Sequence, residues 1–125
     1  MRAASLIFRI AGVYGILVLA PQYFMEGRVG RDFPPPITHP ENFYGFIGTA
    51  LAWQFVFLII ATNPAKYRPL MGVAVLEKLA FGIPAVVLFA QGRLAATVLA
   101  FGIIDLVLAS AFLVAIRLTS PERAA

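Results

Sequence analysis

Four charged side chains, Arg9, Glu77, Lys78 and Asp105, stand inside otherwise apolar stretches of this chain. At the centre of a membrane-spanning helix such a residue costs roughly 2.5 to 3.5 kcal/mol on insertion scales, so each calls for a partner or for water. Two acids and two bases sum to zero, and depth along the helices permits pairing Arg9 with Glu77 and Lys78 with Asp105. At a rise of 1.5 Å per residue, Asp105 lies about 15 Å from the outer end of its span, with Gln54 and Tyr14 near the same depth. Arg9, Glu77 and Lys78 lie about 8 to 12 Å from the opposite end. Arg9, Tyr14, Gln54, Glu77, Lys78 and Asp105 are therefore expected to form one intramembrane polar cluster. Asp105 is its most demanding member, because its carboxylate is too short to reach the headgroups and must be paired, hydrated or protonated.

Such a cluster can do three kinds of work. Paired charges fix helix register; a polar cavity binds a ligand or passes an ion; and Glu77 with Asp105 has the makings of an acid and base acting on an embedded substrate. The absence of cysteine excludes disulfides, thiolate metal sites, iron–sulfur clusters and nucleophilic thiols, and a single histidine excludes a multi-histidine metal centre within one chain. No catalytic residue, metal or cofactor is assigned. His39, with Glu41 two residues on, can take up a proton or a metal, but both are expected at an interface and outside the buried cluster.

The elements that must position these residues follow from composition. Of the 125 residues 61% are apolar and 13% charged, too few charges to cover a soluble core with a polar shell. Lipid is the natural solvent. The charge-poor intervals give spans of about Ala3–Phe24, His39–Thr62, Pro69–Gln91 and Leu94–Ile116, each long enough to cross a hydrocarbon core of ~30 Å. The expected fold is all-α: a polytopic, antiparallel four-helix transmembrane bundle forming one domain. The last two spans, joined by a very short connection, must be antiparallel neighbours.

Local signals set the limits. Thr38-His39-Pro40-Glu41 has the spacing of a capping box, with Thr38 expected as the cap. Asn63-Pro64 should end the second span, and Gly92 is placed to supply the left-handed residue that ends the third. Glu26 to Pro36 is the one sizeable hydrophilic connection, held partly extended by Pro34, Pro35 and Pro36. Gly45, Gly48, Thr49 and Ala52 put small residues on one face of the second span, which predicts close helix packing there, with Gln54 on the opposite face. Pro84 frees the Ala80 carbonyl inside the third span, predicting a kink or a cavity. Tyr23, Phe24, Phe43, Tyr44 and Tyr67 read as an aromatic belt.

The N-terminal span is expected to be retained, since Val18-Leu19-Ala20-Pro21 puts proline where a signal peptide would be cleaved. Arg2, Lys66, Arg68, Arg117 and Arg123 fall on one side, against Arg28, Arg31 and Arg93 on the other. This bias predicts both termini in the cytoplasm. Topology thus accounts for the net charge of +4, and no basic stripe with interleaved aromatics points to nucleic acid.

The segments His39-Pro-Glu-Asn-Phe-Tyr-Gly-Phe, Leu51-Ala-Trp-Gln, Tyr67-Arg-Pro-Leu-Met, Leu76-Glu-Lys-Leu and Phe101-Gly-Ile-Ile-Asp resemble those of small bacterial four-helix membrane proteins, similar in build to DoxX-like proteins. The resemblance covers roughly Pro34 to Arg117. It implies a bacterial inner membrane location and brings no reaction or ligand. Small multidrug exporters and fluoride channels share only size and helix count; the exporters' acidic residue in the first helix has no counterpart here. The functional reading placed first is a structural or accessory membrane subunit, whose partners are the lipid bilayer and either further copies of itself or a larger membrane complex. The alternative is small-ligand binding or transport through a polar intramembrane cavity.

Overall fold

The computed structural model describes residues 2–121, so Arg123 lies outside the described residues. The chain forms α1 (Arg2–Leu19), which continues into a 3-10 helix (Ala20–Phe24), then α2 (Glu26–Asp32), α3 (Pro40–Thr62), α4 (Arg68–Ala90) and α5 (Ala96–Leu118). α1 with its 3-10 extension, α3, α4 and α5 each span 23 residues and are apolar enough to cross a membrane, a length of about 35 Å. The four-span, all-helical architecture expected from the sequence is therefore what forms. Leu6, Ile10, Val13 and Leu17 of α1, with matching residues of the other three long helices, face outward where lipid would lie.

Around the bundle the order is α1, α3, α4, α5 and back to α1. α4 and α5 pack most extensively, α1 and α3 next, and α3 and α4 touch least. α1 and α4 thus stand across a diagonal. The antiparallel α4–α5 pair agrees with the short connection between them. Backbones approach closely there because Gly82 and Gly102 face one another's helices, and a Cβ built on Gly102 would lie 2.5 Å from that of Ala85.

Chain punctuation explains most helix ends. Gly92 has φ of +72°, and the amides of Gly92 and Arg93 donate to the carbonyls of Phe89 and Leu88 at 2.9 and 2.8 Å. This is the double hydrogen bond of a Schellman ending, which requires the left-handed residue that glycine supplies. Asn63 is extended (φ −158°, ψ 80°), as the proline after it demands, and α3 stops at Thr62. α5 begins two residues later than expected: Ala95 is its extended N-cap and has no capping side chain, so the sequence carried no start signal.

The start of α3 corrects the capping box. His39, not Thr38, occupies the N-cap, and no side chain caps the helix. A residue before proline is disfavoured in the helical region, so His39 cannot be the first helical residue and the helix starts at Pro40. This one-residue shift takes Thr38 out of register with the free amides. The small-residue face of α3 is corrected too. Gly45, Thr49 and Ala52 are exposed, and of Gly45 and Gly48 only the latter has a near neighbour, the Tyr23 hydroxyl. α3 instead approaches α1 through Gly12 and Gly15 on the α1 side.

The two ends of the bundle differ. At the end holding the start of α1 and the 63–67 turn, Phe8, Phe57 and Phe112 are fully buried, with Ala4, Ala11, Ile60, Met71, Ala74 and Ala115 around them. Phe8 and Phe112 stack at 4.3 Å between centroids, and Phe57 meets Phe112 edge-on at 5.1 Å. Ser5 Oγ donates to the Ala61 carbonyl at 2.6 Å, and the Arg68 guanidinium donates to the Ile116 carbonyl at 3.2 and 3.3 Å, tying helix ends across the bundle. Towards the opposite end the helices part around a cavity.

Candidate functional site

Lys78 stands halfway along α4 and is 3% exposed. Its Nζ lies 3.5 Å from Asp105 Oδ1 on α5, to which it donates, and 3.6 Å from Glu77 Oε2 on its own helix. The Phe57 ring lies beneath the ammonium at 5.2 Å, a cation–π contact that joins the polar group to the aromatic core. The Lys78–Asp105 pair is the one that depth along the helices suggested. One ammonium thus serves two carboxylates.

The Arg9–Glu77 pair does not form. Arg9 is exposed on the outer face of α1, and among the described residues neither carboxylate of the cluster pairs with any cation but Lys78. The reason is the ring order: α1 and α4 are diagonal, so depth alone could not bring Arg9 to Glu77. Its long side chain is instead free to extend along α1 toward the near interface.

Gln54 of α3 is 1% exposed. Its Nε2 donates to the Ala50 carbonyl one turn earlier at 2.7 Å, while Oε1 accepts no hydrogen bond. The amide orientation is fixed by this contact, since turning it over would set two carbonyl oxygens against each other. Gly15 of α1 makes the placement possible, because the Gln54 amide occupies the volume where a Cβ at position 15 would stand. Glu77 Oε2, though beside Lys78, also accepts no hydrogen bond.

These side chains floor a cavity of about 590 Å³, within the ~300–1,000 Å³ range of pockets that hold small molecules. Tyr14, Gln54, Glu77, Lys78 and Asp105 all line it, so five of the six expected cluster residues come together and Arg9 alone is left out. Tyr14 is half-buried and makes no side-chain hydrogen bond to the others among the described residues. The walls are apolar, built by Phe43, Phe46, Phe81, Val98 and Phe101, and Met25, Val29 and Phe33 form the rim. Sequence reasoning missed α2 and this rim. The signal was present in the four-residue spacing of Met25, Val29 and Phe33, an apolar stripe on one helix face.

A second, open groove of about 710 Å³ runs along the outside of the α3–α4 seam. Phe46, Ala50, Glu77 and Phe81 line both spaces, and the Phe46 and Phe81 rings stand 6.0 Å apart between them. Ala80, whose carbonyl Pro84 frees, borders this groove, and α4 continues unbroken through Pro84. His39 and Glu41 lie apart from all this. Both are exposed at the start of α3, His39 Nδ1 being 3.3 Å from Glu41 Oε1, and neither joins the buried cluster.

No family model, curated protein or solved structure matches the chain.

Proposed function

We propose that this protein is an integral membrane protein that takes a small amphiphilic molecule into the cavity, its polar end on the floor of Lys78, Glu77, Asp105 and Gln54. The observation that carries this reading is the cavity itself, about 590 Å³ of apolar-walled space ending on buried charge. Charges kept only to fix helix register need no such space beside them. The subunit reading, in which intramembrane charges specify assembly with another chain, has less support: Lys78 and Asp105 line the protomer's own cavity, Glu77 stands between that cavity and the outer groove, and Arg9 is the cluster's one charge fully on the lipid-facing side.

A neutral ten-carbon alcohol carrying a photoreactive diazirine on its chain tests the proposal in lipid nanodiscs. Crosslinks should concentrate on the cavity wall, at Phe43, Val98 and Phe101, and Val98→Trp should reduce them several-fold by filling the space. Crosslinks spread evenly over outward residues such as Leu6 and Phe55, and indifferent to Val98→Trp, would sink it.

The resemblance to DoxX-like proteins supports a bacterial inner membrane. The basic residues at the end formed by α1's start and the 63–67 turn support cytoplasmic termini. The chain has no native cysteine, so single-cysteine labelling reads orientation directly. Gly27→Cys is suited to this because nothing crowds a side chain there. An impermeant maleimide added to intact cells should label Gly27→Cys and spare Lys66→Cys; the opposite pattern reverses the orientation.

A further inference from the structure

We infer that the polar end of the cavity is a site for a lipophilic amine, its N–H groups donating to the carboxylates of Glu77 and Asp105 and its alkyl or aryl body lying among Phe43, Phe81 and Phe101. The inference rests on the cavity reading above and adds the class of head group.

Charge points to a cation. Glu77 and Asp105 share the single ammonium of Lys78, so the floor holds one more acid than base. A carboxylate in an apolar span is stabilised by a cation and penalised without one. Arg9, the one other basic residue within the spans' interior, is committed to the far side of α1 and cannot supply it. A monovalent cation in the cavity would bring the floor to neutrality.

Hydrogen bonding points to a donor. Beyond the Lys78 ammonium both carboxylates keep part of their surface open, the Glu77 and Asp105 side chains being 17% and 16% exposed, and carboxylate oxygens can only accept. A protonated amine offers the charge and up to three N–H donors in one group, whereas an alcohol offers one donor and no charge, and a carboxylate offers neither. Apolar walls require a lipophilic body behind that head group. Phe81 and Phe101 are among the lining residues, and aromatic faces attract a cation.

Competition against the diazirine alcohol tests this, using decylamine, decanol and decanoate on the whole chain in phosphatidylcholine nanodiscs. Free concentrations are corrected for uptake by protein-free discs. Decylamine should block cavity crosslinking at concentrations at least tenfold below decanol, and decanoate should be the weakest of the three. In Glu77→Gln the amine-to-alcohol ratio should fall toward one while crosslinking by the probe persists. Asp105→Asn, which leaves Glu77 as the single carboxylate beside Lys78, should lower the ratio several-fold and provides the second reading if Glu77→Gln does not fold. Equal competition by decylamine and decanol, or strongest competition by decanoate, overturns the amine assignment while leaving the cavity reading intact. Absence of cavity crosslinking in the unaltered protein defeats the cavity reading itself.

Discussion

Replacing Lys78 with methionine should destabilise the bundle by about 3 to 5 kcal/mol, the range found when one member of a buried ion pair is removed. Asp105 and Glu77, with side chains 16% and 17% exposed, would then face each other across the cavity floor with no cation between them. Methionine fills similar space, so the loss would come from charge rather than from packing. Adding Asp105→Asn and Glu77→Gln to the same chain should recover most of the stability, since the desolvation penalty disappears together with the attraction. Unfolding followed by steric trapping in bicelles measures both. A Lys78→Met protein as stable as its parent would falsify the shared ion pair.

The second large effect belongs to Phe57→Ala. Phe57 is fully buried and touches Phe8, Phe112 and Trp53, besides lying under the Lys78 ammonium. Truncating a buried Phe costs about 3 to 5 kcal/mol in water-soluble cores. Here the low end, about 3 kcal/mol, is expected, because in lipid the unfolded reference keeps the ring in apolar surroundings and only the packing share is lost. Phe57→Leu should restore most of it. Phe55→Ala, two residues away but 51% exposed on the outer face, should change stability by no more than about 0.5 kcal/mol. Equal losses at positions 55 and 57 would show that the aromatic core does not hold the closed end together.

What could be read in advance separates along a physical line. Span number, span length and residue depth follow from the length of charge-free intervals and a fixed rise per residue, so α3 and α4 fall within a residue of expectation and Lys78 meets Asp105. Rotation about each helix axis and ring order do not follow. A soluble helix reveals its inner face by an apolar stripe, but helices apolar on every side have none. That is why equal depth does not reveal that Arg9 and Glu77 stand across a diagonal, and why the small residues of α3 do not reveal that α1's glycines make the α1–α3 contact. Backbone chemistry was legible where proline or glycine constrained it, as at Asn63 and Gly92. At His39 two rules competed, and the steric demand of Pro40 overrode the spacing of the capping box.

The interlock of Gly15 with Gln54 makes the two positions one inherited unit. A side chain at 15 needs the volume that the Gln54 amide fills, so a larger residue at 15 is compatible only with a shorter one at 54. The order of change matters. Shortening 54 first merely enlarges a space that already exists, whereas enlarging 15 first forces the buried Gln54 side chain out of its place. Divergence at this contact should therefore run in one direction, through chains carrying glycine at 15 and a small residue at 54, and the opposite intermediate should be rare among descendants of this sequence.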